Sequence, residues 1–353
     1  MTEKPKLPLI KSLAGQWAKK LPSGWKNLLL AGFVLVILAG LFYFFVDWRT
    51  VLTAIRSADR SDLALGIAAL LAGYLLYAVR WRFLMHNRPP FAAVFHAANA
   101  GHLISTLLPA RAGDPARILL LSSRTSIPAL EVTSSLVVEQ WFEMVMRLAA
   151  VGGALVFGTG LLLPPSAIIG SVAFLLVSFV FMLWLLRQQE TALRILPAYL
   201  ARLPRVSEEG ARRGLQSLID GLVSMASAPH LMQALLWSVL TWTLFWGFHF
   251  LCLRALRTNL TLEQQVELSL AVLALVPPSA TTLPGIYQVV TMVPLGLLGF
   301  NESLLAAYTL LMNVIEMLVI GGLGILGIGR EGASLEKLIR ESLQSTQTET
   351  KPS

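Results

Sequence analysis

"LLPARAGDPARILLL", Leu107 to Leu121, decides how the chain is read. Two prolines, a glycine, two arginines and an aspartate interrupt a run that is apolar on both sides. Non-helical backbone is tolerated at membrane depth only where protein or a wet cavity satisfies its polar groups. The stretch is therefore read as the tip and second arm of a re-entrant hairpin, within an interrupted apolar segment over 91–122. Pro115 suits the first turn of a restarting half-helix, and Asp114 suits its N-cap. Arg117 then falls in the first helical turn, where the macrodipole disfavours a cation. It needs a partner, either an acidic side chain or an anionic ligand. A guanidinium fork matches phosphate oxygens bidentately.

The surroundings are those of a membrane protein. The chain has 353 residues, 55% hydrophobic and 14% charged, against about 25% charged in a soluble domain. Asn27–Val46, "NLLLAGFVLVILAGLFYFFV", carries no charge and is long enough for a bilayer core of about 30 Å. Full spans are expected at 27–46, 62–80, 130–158, 166–186, 231–253 and 303–328. A second interrupted stretch, 263–300, is read as a second re-entrant hairpin. The fold class is thus an all-α polytopic helical bundle; a β-barrel would show short alternating segments instead. Residues 1–26 read as a basic segment rather than a cleavable signal, and 329–353 as a polar tail.

Of the 28 Lys and Arg, 22 fall in the N-terminal segment, residues 80–90, 111–124 and 187–230, and the tail. Five (Arg49, Arg56, Arg60, Arg254 and Arg257) fall in the alternate loops. The positive-inside rule then puts both termini in the cytoplasm, and the protein in a bacterial inner membrane. The 187–230 segment is expected as one amphipathic helix on that surface, or a solvated basic linker. The net charge of +8 fits anionic headgroups better than nucleic acid. Membrane lipids bearing a phosphate or other anionic headgroup are the expected partners, and homo-oligomerisation is left open.

The two halves, about 62–158 and 231–328, follow one plan of span, broken hairpin, span. "YLLYAVRWRFL" matches "FHFLCLRALR", "LLPARAGDPAR" matches "LVPPSATTLPGIYQ", and "EQWFEMVMRLAAVGGAL" matches "LMNVIEMLVIGGLGIL". With hairpins opening to opposite sides this is an inverted repeat, the plan of many alternating-access transporters.

The remaining candidates follow from spacing. Glu139, Glu143 and Arg147 are four apart and line one helix face; intramembrane charges usually face a cavity or each other. They read either as a polar stripe for a headgroup or as a structural Glu–Arg ladder. Glu139, Glu143 and Glu316 are the candidates for proton coupling, Glu139 foremost because Arg147 is one turn from Glu143. Tyr287 and Gln288 follow "LPG" and suit ligand or backbone contacts. His96, Asn99 and His102 are read as hydrogen-bonding residues of the first hairpin, since two His six apart do not share a face. Arg80 and Arg82 read as interfacial anchors around Trp81, and His249 as a packing residue. Cys252 is the single cysteine, so neither a disulfide nor a Cys-based metal site is expected. No cofactor is expected, because GxxxxGK[ST], GxSxG and HExxH are absent. "GGLGILGIG" at 321–329 reads as small-residue helix packing.

At these residues the chain resembles the flippase-like membrane region of the bacterial lysylphosphatidylglycerol synthase/flippase family. The family pattern of a proline, a basic residue and Gly-Glu-x-x-Arg is met by Pro109, Arg111 and Gly113-Asp114-Pro115-Ala116-Arg117. Its Glu-Arg followed by an acid is met by Glu139-Gln140 and Glu143, and its Pro-Gly-x-x-Gly, aromatic and polar run by "LPGIYQ". Asp114, Gln140 and the shortened glycine pattern depart from it and bear on which lipid is moved. The resemblance covers most of 60–328, and no separate aminoacyl-transfer domain is expected after it. It implies a lipid translocator, expected from the missing motifs to be non-enzymatic and ATP-independent, and with the spacings above the expected substrate site is Arg111, Asp114, Arg117, Glu139, Glu143, Arg147, Tyr287 and Gln288. The alternatives are a membrane-embedded lipid-modifying enzyme using Glu139 or Glu143 as base, and a non-catalytic partner in a lipid or polysaccharide pathway.

Overall fold

The computed structural model describes residues 56–107, 113–157, 187–201, 208–225, 227–276, 286–297 and 299–330, with scattered positions at 49, 53 and between 169 and 185. The expected span at 27–46, both termini and both hairpin tips lie outside the described residues. So do Pro109, Arg111, Pro278, "LPG" and the side chain of Gln288. Helices among the described residues are, in order, α1 (Arg60–Leu84), α2 (Phe91–Leu107), α3 (Gly113–Arg124), α4 (Ala129–Phe157), α5 (Gln189–Leu200), α6 (Glu208–Met225), α7 (Ala228–Ala255), α8 (Leu262–Leu275), α9 (Ile286–Leu297) and α10 (Glu302–Arg330).

Local sequence sets the helix starts. Asp59 caps α1 by accepting from the amides of Ser61 and Asp62. Thr261 and Gln264 form a reciprocal capping box at α8, and Asn301 Oδ1 accepts from the Leu304 amide, 3.1 Å, at α10. Three helices, Arg60–Leu84, Pro229–Ala255 and Ser303–Gly329, are long and apolar enough to cross a membrane, with mean hydropathy of 1.9, 1.4 and 2.0. At 1.5 Å per residue each exceeds about 30 Å. Helix α4 is as long but carries Glu131, Glu139, Glu143 and Arg147.

Apolar and polar side chains are distributed as lipid requires. Leu65, Leu71 and Leu75 of α1, Met232, Leu236 and Val239 of α7, and Leu318, Ile325 and Leu326 of α10 are exposed, whereas Arg80, Glu139, Glu143, His249 and Glu316 are buried. In water such apolar faces would be an aggregation surface; against acyl chains they cost nothing. This is a membrane protein built of apolar helices.

The helices pack in a reciprocal pattern. α1 and α7 pair antiparallel, with Asp59 beside Arg257, Asp62 beside Arg254 and Gly73 beneath the Phe245 ring. A Cβ on Gly73 would lie 2.6 Å from that ring, so a side chain there would force the helices apart. The closing helix of each half packs on the first arm of the other half, α4 on α8 and α10 on α2. α2 also packs on α3, and α8 on α9. The glycine-rich end of α10 serves close packing. A Cβ on Gly324 would lie 2.5 Å from Leu103, and one on Gly327 2.7 Å from the His96 carbonyl oxygen.

Two sequence expectations are corrected here. The 187–230 segment holds two helices, α5 and α6, instead of one. Ile219 and Leu215 of α6 are buried and α6 packs on α4, because its apolar face finds a protein partner. Helix α3 begins at Gly113, ahead of the expected cap. Asp114 and Pro115 therefore lie in the first turn, where a proline removes no intrahelical bond. Arg117 is the fifth residue, just past the first turn, within which the dipole's effect falls off.

Candidate functional site

Two arginines and two glutamates meet in the interior, brought by α1, α3 and α4. Arg117 of α3 donates from Nη2 to both carboxylate oxygens of Glu139, at 2.9 and 3.2 Å. Its Nη1 reaches Asp114, 3.4 Å away. Arg80 of α1 donates to Glu143, whose other oxygen accepts from the Trp242 indole at 3.2 Å. Tyr77 donates its hydroxyl proton to Glu139. The side chains of Arg80 and Glu139 are wholly buried, and those of Arg117 and Glu143 nearly so.

Aromatic faces hold the guanidiniums. The Arg117 Cζ lies 4.2 Å from the Trp81 ring centroid and 5.3 Å from that of Tyr77; Arg80 lies 5.0 Å from Tyr77. A planar guanidinium can stack flat on a ring while its N–H groups point outward along the plane. The Trp81 indole donates to Ser135 at 3.1 Å, which fixes the ring. A bare contact lets Arg117 enter: a Cβ on Gly101 would lie 2.1 Å from the Arg117 Cγ, and one on Gly113 2.0 Å from the Gly101 carbonyl oxygen. The α2–α3 crossing is thus backbone on backbone.

Charge and hydrogen bonding do not balance in the same way. Two arginines against two glutamates sum to zero, so the four groups are tolerable in low dielectric. Yet Arg80 Nε and Nη1 and Arg117 Nε are buried with no hydrogen-bond partner among the described residues. Buried polar groups without partners are uncommon and costly. These N–H groups are donors of a kind that an anion's oxygens satisfy.

A cavity of about 570 Å³ opens between the C-terminal end of α1, the N-terminal end of α4, and α6. Glu131 and Arg88 line it as an ion pair, with Arg213 and Asp220 from α6. Ser135 belongs to its wall, so the cavity backs onto the Trp81 ring that carries Arg117.

The candidates from sequence separate into two groups. Arg117, Glu139 and Glu143 come together, with Asp114 at the edge. Tyr287 is buried elsewhere, in the apolar cluster with Tyr74, Tyr308 and Cys252. Arg147 is half-buried one turn beyond Glu143; the partner seen for Glu143 is Arg80. His249 faces Glu316, 3.8 Å away, so one polar group confronts another inside the apolar packing. Asn99 donates to its own helix at Phe95, 2.8 Å, and His102 packs against the rings of Tyr74 and Tyr77. Among the described residues no cluster of three or more His, Cys, Asp or Glu could hold a metal ion.

Arg80 is the main correction. As an interfacial anchor it should be exposed; it is wholly buried. Its neighbour Arg82 instead donates to the carbonyls of Asn87 and Pro89 in the loop after α1. The signal was in the spacing: two residues on a helix point about 200° apart, so Arg80 and Arg82 cannot share a surface. Tyr74, Tyr77 and Arg80, each three apart, form the inward stripe.

A family model described as the lysylphosphatidylglycerol synthase TM region matches residues 29–324. No curated protein and no solved structure matches the chain. The matched region contains every residue of the arginine–glutamate network and well over half the sequence, and it carries with it a function in membrane lipid chemistry or transport. The chain belongs to the lysylphosphatidylglycerol synthase transmembrane-region family.

Proposed function

We propose that this protein translocates a phosphate-bearing phospholipid or glycolipid across the bilayer without ATP, and without chemistry on the lipid. One observation carries the reading: Arg80 and Arg117 hold buried N–H groups with no partner among the described residues. Glutamates neutralise both arginines when the site is empty, and aromatic rings orient them. The donors left over take a phosphate's oxygens, while the acyl chains stay in the bilayer beside the apolar outer faces. The cavity at Glu131, Arg88 and Ser135 is the vestibule through which the headgroup arrives.

Reciprocal helix packing supports an inverted repeat. Superposing α1–α4 on α7–α10 in order exchanges the α4·α8 contact with the α10·α2 contact, and the paired first helices run antiparallel. On this reading α2–α3 and α8–α9 are the arms of two opposed re-entrant hairpins, with both termini cytoplasmic. The same packing argues against a lipid-modifying enzyme. A glutamate tied to an arginine and to an indole or phenol is a poor general base, and Glu139 and Glu143 are both so tied.

The test is dithionite quenching of a headgroup-labelled phospholipid in proteoliposomes. Expected is protein-dependent access to inner-leaflet label, lost in Arg80→Lys and Arg117→Lys but kept in Arg82→Lys. A point charge cannot reproduce the fork. Equal rates in all three variants and the parent protein would overturn the proposed ligand.

A further inference from the structure

A second polar cluster lies outside the arginine network. Glu316 of α10 and His249 of α7 face each other across 3.8 Å, at 1% and 0% exposure. That is too far for a hydrogen bond. Neither carboxylate oxygen and neither ring nitrogen has a hydrogen-bond partner among the described residues. Four orphaned atoms on one facing pair is a large concentration of unsatisfied polarity for an apolar core.

Among the described residues the neighbours of the pair hold no fixed charge. Cys252 lies one turn along α7, Tyr74 comes from α1, Tyr287 from α9 and Tyr308 from α10 itself, all within electrostatic reach of the Glu316 carboxyl. The Tyr308 hydroxyl donates to the His249 carbonyl, 3.0 Å. Helix α2, packed on α10, places His96 against Gly327, eleven residues along from Glu316, and His102 against the rings of Tyr74 and Tyr77. No described arginine or lysine pairs with Glu316, whereas Glu139 and Glu143 each have one. The hydroxyls of Tyr74 and Tyr287 are themselves buried without a partner.

Electroneutrality links this pair to the headgroup site. The four buried arginine and glutamate side chains sum to zero when the site is empty, with the part-exposed Asp114 carboxylate at its edge. A phosphodiester entering it adds one negative charge to a low-dielectric interior, which is costly unless a cation follows. A file of polar rings runs from the headgroup site toward the pair. Tyr74 lies 5.6 Å from His102 between ring centroids, His102 lies 4.8 Å from Tyr77, and Tyr77 bonds Glu139.

We propose that Glu316 and His249 form a proton-binding site whose proton accompanies the lipid phosphate through the membrane. The inference rests on the translocation reading above for its coupling, but not for the site itself. The balance is one proton gained by the pair for one phosphate anion gained by the arginines; no covalent bond to the lipid forms or breaks. Of the three candidates from sequence, Glu139, Glu143 and Glu316, the proposal takes Glu316, with which no described arginine or lysine pairs, in place of Glu139.

Two measurements on the full chain test this. Infrared difference spectra, acid minus alkaline, should show the carbonyl band of a protonated carboxyl. That band should vanish in Glu316→Gln and persist in Glu139→Gln. A band that persists in Glu316→Gln, or the absence of any band, overturns the site. His249→Gln leaves the carboxyl and removes its partner, so it should move the midpoint of the band; an unmoved midpoint overturns the pairing. In proteoliposomes, headgroup flux should fall by about tenfold per pH unit on the alkaline side of that midpoint. In Glu316→Gln it should be flat. Identical pH profiles in the two proteins overturn the coupling. A titrating band in a protein that moves no lipid would instead overturn the translocation reading and leave the proton site standing.

Discussion

Removing one charge from the buried network tests whether Arg117 and Glu139 depend on each other. Glu139→Gln leaves the Arg117 guanidinium at 3% exposure, with Asp114 at 3.4 Å as its remaining acid. Breaking a buried pair costs about 3–5 kcal/mol. This variant belongs at the lower end, about 3 kcal/mol, because Asp114 remains and the Gln carbonyl still accepts. Arg117→Met leaves Glu139 with no exposed surface and only the Tyr77 hydroxyl, so it belongs near about 5 kcal/mol. Arg117→Met combined with Glu139→Gln removes both charges and keeps most of the volume. It should return to within about 1 kcal/mol of the parent, since apolar replacement of a buried pair is often near neutral. At roughly 2 °C per kcal/mol for a chain of this length, thermal shift in detergent should drop by about 6 °C and 10 °C for the singles and recover in the double. Transport in the double should stay lost, because the phosphate ligand is gone. Additive destabilisation in the double would refute the pairing, and restored transport would refute the ligand role.

Three further outcomes follow from particular contacts. Gly113→Ala should destabilise by about 1–3 kcal/mol and more than Gly101→Ala. Its Cβ would strike a carbonyl oxygen at 2.0 Å, whereas the Gly101 Cβ meets chiefly a side chain, the Cγ of Arg117 at 2.1 Å; thermal shift ranks them, and Gly101→Ala should also slow transport by displacing the guanidinium. Arg254→Ala breaks an exposed pair with Asp62 and should change stability by no more than about 1 kcal/mol, with transport unaffected in the quenching assay. Asp59, outside the membrane, has its carboxyl held well below the usual range, first by the Ser61 hydroxyl and then by Arg257. A depressed carboxylate contributes stability above its unfolded value, about pH 4, and loses it as pH falls through the lower folded value. Asp59→Asn should therefore melt earlier at pH 7, and the difference should shrink in melts run below about pH 4.

The sequence alone determined the class of the protein, its family, and part of the buried charge network that forms the candidate site. Hydropathy over twenty-residue windows depends only on composition, so the spans at 62–80, 231–253 and 303–328 were legible without any contact. A cation at Arg117 flanked by apolar residues demands a partner wherever it lies, and Glu139 and Glu143 were the acids at hand. Small residues at 321–329 signalled a close helix contact before its partner was known. What the sequence could not decide was who meets whom. Spacing of four puts Glu139, Glu143 and Arg147 on one face of α4, but which arginine faces each acid depends on how α1 and α3 are rotated and set in register against it. That register brings Arg80, 63 residues away, onto Glu143, and it buries a residue whose sequence neighbours look interfacial. The Glu316–His249 pair is likewise a product of tertiary structure: each residue alone reads as a polar accident in an apolar helix. Only the crossing of α7 and α10 brings the two together where no described arginine pairs with the carboxylate, and that placement distinguishes it from Glu139 and Glu143, each tied to an arginine.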